Sequence, residues 1–436
     1  MTGWHTHAIW WHVYPLGFVG AEPTLAEAGD EPVHRLPQLV DWLDYAVELG
    51  VSGVALGPVF TSASHGYDTL DYHAIDPRLG DRADFDALVT AAHERGLKIM
   101  LDGVFNHVGR DHPALRRAVE QGPEAAEARL FHLDWPDGGP PAEPRYASFE
   151  GHEGLVELNH DEDAVVDLVT DVMRHWLRAG ADAWRLDAAY AVPPAFWQRV
   201  LPRVREEFPD VYVVGEVIHG DYPAIVRDSG MDAVTQYELW KAVWSGLNDH
   251  NFYEVAHALE RHNGMLEAFP PLTFVGNHDV TRLATQLQDR RAVAHALVLL
   301  MTVGGTPSVY YGDEQAFEGL KEERLGGDDA IRPAFPSRPA DLPAEGWPTY
   351  HLHQELISLR RRHPWLHRAR TRQLELSNEL FAYEAASDGE RLVVVLNLAE
   401  DVAQVAVPDV GQVLAGSADL GVDGVRVPAH GWAVLG

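Results

Sequence analysis

Arg185 and Asp187 stand two residues apart in the run AWRLDAAY, residues 183–190. If that run is a strand, both side chains point the same way. An inward Arg beside an inward Asp then holds the carboxylate ionised by a charge-assisted hydrogen bond. Glu216 closes the apolar run VYVVGE, so its carboxylate emerges from a desolvated strand with its pKa raised toward neutrality. One carboxylate kept charged and one kept protonated is the pair that glycoside hydrolysis requires: the first attacks the anomeric carbon, and the second protonates the leaving oxygen and then activates water. Asp102 and the pair His278 and Asp279 also end apolar runs. Any single carboxylate after a strand can merely cap the next helix; four of them, with Arg185 and His278 alongside, together point to chemistry.

Eight short apolar, β-branched runs carry these residues, at 9–14, 51–56, 97–104, 183–187, 211–216, 232–237, 272–277 and 308–312. Most are followed by segments with helical spacing. Phe85, Leu88, Val89 and Ala92 share one face before Gly96, and Val165, Val169, Val172 and Trp176 share one face before Gly180, where a helix C-cap belongs. Eight alternating βα units predict an α/β fold, a (β/α)8 TIM barrel, whose reacting groups project from the carboxyl ends of the strands. Residues 107–161 are too long and too rich in Gly, Pro and charge for a βα loop, and read as an inserted, loop-rich domain B after strand 3. A second polar insertion follows the last strand, at 313–347. Beyond residue 367 the helical period gives way to short alternating strands at 380–385, 392–398, 402–407 and 431–435, a C-terminal antiparallel β-sandwich domain. The domains expected are therefore barrel at 1–106, insertion at 107–161, barrel again at 162–366, and β domain at 367–436.

The 436 residues suit one large barrel with a small appendage. With 66 acidic against 34 basic side chains the net charge is −32, and no stretch gathers the basic residues into a patch. Nucleic acid and anionic membrane are excluded as partners on that ground. The absence of Cys excludes thiolate nucleophiles and thiolate metal sites. The N-terminal run lacks the basic start and apolar core of a secretion signal, so the expected location is cytoplasmic.

The chain resembles the α-amylase family of glycoside hydrolases over nearly its whole length. DGVFNH at 102–107, AWRLDAAY at 183–190, GEV at 215–217 and FVGNHD at 274–279 are four family motifs in order. HGYDTLDY at 65–72, GGTPSVYYGDE at 304–314 and the terminal VPAHGWAVL add further matches. The resemblance implies that Asp187 is the nucleophile, Glu216 the acid/base, and Asp279 a third carboxylate that binds sugar hydroxyls and distorts the ring. It implies that Arg185 positions Asp187, that His107 and His278 donate to hydroxyls of the sugar being cleaved, and that Tyr67 and Asp68 line the same subsite, Tyr67 as a stacking platform. Asp102 holds the strand-3 loop by the same carry-over. No cofactor is required for the chemistry; calcium is a possible ligand, through Asn106.

Within the family the nearest groups are the cyclomaltodextrinases and neopullulanases, through AAYAVPPAFW and the segment after Glu216, and the α-glucosidases. Ile218 and His219 replace the usual Trp beyond the acid/base, and the fifth motif reads LVELN at 155–159, with Glu157 where Asp or Lys is more usual. The N-terminal β domain by which the first group dimerises is not seen, and the oligomeric state is left open. Ala188 after the nucleophile accompanies α-1,4 preference in the related α-glucosidases. The expectation is a retaining hydrolase of α-1,4 bonds in maltooligosaccharides or related α-glucans. An α-glucosyltransferase or isomerase would use the same residues, and a catalytically silent binding subunit is the third reading.

Overall fold

The structure is a computed structural model and describes all residues except 1, 2, 30, 137, 141, 325, 408 and 409. Eight parallel strands form the central sheet: β1 (Trp10–Val13), β2 (Gly53–Leu56), β3 (Lys98–Gly103), β4 (Ala183–Leu186), β5 (Tyr212–Gly215), β6 (Ala233–Val234), β7 (Leu272–Phe274) and β8 (Thr306–Tyr310). Their order is β6-β5-β4-β3-β2-β1-β8-β7. The two ends meet through a parallel bridge between Thr235 and Leu272 and a hydrogen bond from Gln236 N to the Leu272 carbonyl at 2.9 Å, so the sheet closes into a (β/α)8 barrel.

The strands are buried on both faces, as all-parallel sheets require, and their sequences are correspondingly continuous apolar runs. The helix Asp163–Arg178 buries Val165, Val169, Val172, Met173 and Trp176 along one face. It ends before Gly180, whose φ of 104° is open to glycine. Trp176 is fully buried and its Nε1 donates to the Tyr72 carbonyl at 2.7 Å. Replacing it by Ala would cost about 3–5 kcal/mol, the usual range for a large core aromatic.

Seven of the strands are shorter than the apolar runs that predict them, and the eighth, Thr306–Tyr310, begins two residues before its run. The sixth is expected over 232–237 but spans only Ala233–Val234. Its continuation turns because the Gln236 side chain caps the helix Tyr237–Asn248 by accepting from Leu239 N. Among the described residues no helix is long and apolar enough to cross a membrane.

After β3, His107–Gly109 pairs with Leu155–Glu157, enclosing the helix Pro113–Gln121 and the short ladder Leu133–Asp134 with Arg145–Tyr146. The C-terminal region holds a five-stranded antiparallel sheet and a three-stranded one. Ala382, Val393 and Val395 of the first pack with Val405, Val425 and Val427 of the second. Sequence reading finds the strands at 380–387, 390–397, 403–405 and 432–435 and misses four others. Arg370–Leu376 and Asp419–Gly421 are mostly exposed, so they carry no apolar alternation to detect.

Candidate active site

Parallel strands deliver their last side chains to one rim of the barrel. β3 and β4 pair with Asp102 beside Arg185. Asp187 follows β4 directly and Glu216 follows β5. Asp187, Glu216 and Asp279 all line one cavity of about 750 Å³, with Tyr67, Asp68 and His107.

Arg185 is the hub. Its Nη1 lies 2.6 and 2.7 Å from the two Asp102 oxygens and 3.2 Å from Asp187, and its Nη2 lies 2.9 Å from Glu216. The charge expected to serve Asp187 alone is thus divided among three carboxylates. Burial, reinforced by the charge of Glu216, pushes the Asp187 carboxyl well above its ordinary range, which corrects the expectation that Arg185 holds it ionised. Glu216 likewise lacks the bare apolar seat foreseen for it. It accepts from Arg185, from Ala188 N at 3.0 Å and from Tyr237 Oη at 3.0 Å. Burial and the Glu216 charge push Tyr237 well up, so its hydroxyl remains a donor, and Asn277 Nδ2 donates to it at 2.9 Å. Ala188, the residue after the nucleophile, sits at φ 46°, a left-handed conformation that aims its N–H at Glu216.

One wall of the cavity centres on Asp279. Its Oδ2 is 2.9 Å from His278 Nε2, and its Oδ1 is 3.1 Å from Arg332 Nη2. Burial alone would raise this carboxyl, but His278, Arg332 and Arg185 outweigh it and hold Asp279 well below the carboxylate range. Arg332 also donates to the His278 carbonyl at 2.9 Å and lies over the Tyr14 ring at 4.7 Å. Lys321 Nζ donates to the Asp279 carbonyl at 2.9 Å. The Tyr67 ring stacks on His278 with centroids 5.4 Å apart, and its hydroxyl meets His278 Nε2 and Asp102.

Two expected roles are redirected by hydrogen bonding. His107 has its Nε2 on the Tyr67 carbonyl at 3.1 Å and its Nδ1 against the Asn106 amide at 3.1 Å, leaving neither ring nitrogen for a hydroxyl. Asp68 lines the cavity as expected, its oxygens accepting from Ser64 N at 3.0 Å and Ser64 Oγ at 2.6 Å. Asp102, fully buried, anchors Arg185 and Tyr67 rather than the loop that follows β3.

A second wall adjoins Glu216. Tyr190 N donates to the Glu216 carbonyl at 3.3 Å, and the Tyr190 hydroxyl donates to Glu150 at 2.8 Å. Ile218, 41 % exposed, also lines the cavity, and the His219 ring lies 5.8 Å from that of Tyr190. Phe149 joins the walls, stacking on His107 at 4.7 Å and lying 6.3 Å from Tyr190.

A calcium ion takes six to eight oxygens; at Asn106 the side-chain nitrogen faces His107 Nδ1 at 3.1 Å and the backbone carbonyl accepts from Leu158 N at 3.0 Å. His34, Asp81 and Asp84 do converge elsewhere, but Asp81 and Asp84 form the capping box of the helix Arg82–Glu94.

Sequence reading brings together the carboxylates, Arg185, Tyr67 and both histidines. It misses Arg332, Lys321, Tyr237, Asn277 and Glu150. Asn277 was in view inside FVGNHD, and the helix-starting position of Tyr237 behind Glu216 was the only signal for that residue; the others lie in insertions without periodicity.

The chain was compared with known proteins. Residues 14–343 match the family described as alpha amylase, catalytic domain. A cyclomaltodextrinase of Geobacillus thermopakistaniensis is 29% identical over 431 residues, covering 93% of this chain and 71% of that one. An intracellular maltogenic amylase of Bacillus subtilis is 32% identical over 336 residues, covering 72% of this chain, which spans 56% of the relative's length. The crystal structure of Nostoc punctiforme debranching enzyme soaked with acarbose superposes with a TM-score of 0.83 at 26% identity, covering 100% of this chain and 99% of the other. Cyclic alpha-maltosyl-(1→6)-maltose hydrolase of Arthrobacter globiformis in complex with maltose gives 0.82 at 27% identity, with 100% of both chains covered. A closed barrel with three carboxylates at its rim, carried on the four ordered motifs and matched over most of its length, makes this chain a glycosidase that belongs to the α-amylase family of glycoside hydrolases.

Proposed function

We propose that the chain hydrolyses α-1,4-glucosidic bonds of maltooligosaccharides or related α-glucans by double displacement. The observation that carries this reading is the single Arg185 guanidinium that touches both Asp187 and Glu216. Retaining enzymes need their two carboxyl groups about 5 Å apart, and a shared cation is a tether suited to so short a separation. Asp187 follows its strand with Ala188 behind it, the small residue that accompanies α-1,4 preference. The names of the cyclomaltodextrinase and maltogenic amylase relatives agree.

In the first step Glu216 gives its proton to the glycosidic oxygen as that oxygen leaves C1, and an Asp187 oxygen forms a bond to C1. In the second, Glu216 takes a proton from water, the water oxygen bonds to C1, and the Asp187 ester bond breaks. The site therefore needs a proton on Glu216 and a charge on Asp187 when sugar is bound. Burial raises the Asp187 carboxyl well above its ordinary range, and a substrate that places its developing positive carbon at Asp187 favours the charged form of that carboxylate. Asp279, held ionised, accepts from sugar hydroxyls most strongly as the ring gains positive charge. No step calls for a metal, and a chelator should leave turnover within about twofold, an order-of-magnitude allowance for an uninvolved ion. A cytoplasmic location forms part of the proposal, in keeping with the intracellular relative.

The test is chromatography of products from maltotriose, cyclodextrin, isomaltose and starch. Glucose and maltose from maltotriose are expected. Longer or rearranged sugars would replace hydrolysis by transfer or isomerisation, and cleavage of isomaltose in preference to maltotriose would sink the α-1,4 reading.

A further inference from the structure

Glu150 has no part in the two chemical steps, yet it lines the same cavity. It stands in the inserted region, in the turn Phe149–Gly151, with φ 50° and ψ 27°. A non-glycine residue in that left-handed region costs on the order of 1 kcal/mol, and such strain persists where the surroundings impose it. Here the Glu150 carboxylate accepts from the Tyr190 hydroxyl at 2.8 Å, while Tyr190 N is bound to the carbonyl of Glu216. Glu150 is thus reached from Glu216 through one residue. Its remaining oxygen valences are unspent on any described protein donor; Tyr190, which it holds, has the rings of Phe149 and His219 6.3 and 5.8 Å from its own.

The general acid hands its proton to the leaving oxygen, so the cavity surface that Tyr190, Ile218 and Glu150 share with Glu216 is open to the departing sugar or the sugar that arrives in its place. A carboxylate beside aromatic faces suits that ligand: hydroxyls donate to the first, and the apolar face of a pyranose lies on the second. The Asp279 wall, by contrast, has its charges matched within the protein. Resting on the reading of the chain as a retaining α-glucosidase, we propose that Glu150, held by Tyr190, recognises the hydroxyls of the sugar on the leaving-group side, and so sets both the choice of leaving group and the share of glucosyl units passed to sugar instead of water.

The experiment compares wild type with Glu150→Gln, Glu150→Ala and Tyr190→Phe on two substrates. Maltotriose leaves as a sugar; 4-nitrophenyl α-glucoside leaves as a phenol with no hydroxyls to recognise. Glu150→Ala should lower kcat/KM for maltotriose about tenfold to a hundredfold, the range for a hydrogen bond to a charged group. The same variant should change the nitrophenyl substrate less than about threefold and reduce the fraction of transfer products. Glu150→Gln should recover part of the loss. Equal losses on both substrates would mark Glu150 as a fold support and overturn the inference, as would no loss on maltotriose. Should wild type cleave neither substrate, the proposed reaction fails by itself. The Glu150 assignment is then read from calorimetry of maltose binding, where an unchanged affinity in Glu150→Ala overturns it and a weakening of tenfold or more supports it.

Discussion

The Asp279 wall and the Tyr190 wall line the same cavity and are built in different ways. In the first, Asp279, His278, Arg332, Tyr67 and Lys321 are tied to one another, and each charged group has a partner within 3.1 Å. In the second, Tyr190, Ile218, His219 and Glu150 share one side-chain hydrogen bond and one ring contact, and Ile218 is half-exposed. The contrast teaches where rigidity is needed. A ring distorted toward an oxocarbenium ion must meet preset charges that do not reorganise. A leaving group or acceptor that differs from one substrate to the next is better served by rings and one carboxylate.

The comparison can be broken first at its centre. Asp187→Asn should lower kcat by about ten-thousandfold or more, as losing a member of a catalytic unit does, with the circular dichroism spectrum unchanged; 1 % residual activity, an arbitrary but generous threshold, would place the nucleophile elsewhere. Next comes Arg332→Ala, which removes the guanidinium that touches Asp279. Its kcat/KM on the nitrophenyl glucoside should fall about a hundredfold, near the top of the range for one charged hydrogen bond. Lys at 332 should restore only part, because it cannot contact Asp279 and His278 together in the fixed fork of a guanidinium. If Arg332→Ala costs no more on this substrate than a change in the Tyr190 wall, the two walls do not divide the work.

Acid should act through buried histidines, one of them in the cavity. Burial lowers His107, His262 and His353 from 6.5 to about 4. Between those values the unfolded chain binds protons that these folded histidines refuse, so their contribution to stability declines as pH falls from about 6.5 to 4 and levels off below; Asp313 and Glu314, raised by burial to about 6 and about 7, contribute in the opposite sense. His107→Gln should therefore lose less melting temperature between pH 6.5 and 4 than wild type does. A pH dependence unchanged in His107→Gln would contradict the burial of His107. The smallest effect is expected of Ile218→Ala, which removes a half-exposed side chain worth about 1 kcal/mol. It should raise KM for maltotriose several-fold and leave the nitrophenyl substrate unchanged; a larger loss on the latter would extend the rigid wall across the cavity.

Legibility in the sequence follows the same division. The barrel was readable because each strand is a local apolar run, and the chemical residues of the Asp279 wall sit at the ends of those runs. Asp187, Glu216 and His278 could be placed from spacing alone. Arg332 could not, since its partner Asp279 lies 53 positions away across the second insertion and leaves no periodic trace. Glu150 was hidden in the same way, in a turn with no apolar pattern. Even within the motifs, spacing placed residues without fixing their partners. His107 and Asp68 lie where expected, but their hydrogen bonds go to the protein.

The two-residue strand β6 has a consequence for how the molecule fails on heating. It is held on one side by the pairs Val214↔Ala233 and Gly215↔Val234, and on the other by the lone Thr235↔Leu272 bridge. Amides along this seam should exchange with deuterium sooner than those of the better-paired strands. Thr235 Oγ1 also binds both Val217 N, at 2.9 Å, and the Val217 carbonyl, at 3.0 Å, next door to Glu216. Opening the seam therefore unseats the acid/base while the other seven strands still stand, and thermal inactivation precedes melting of the barrel.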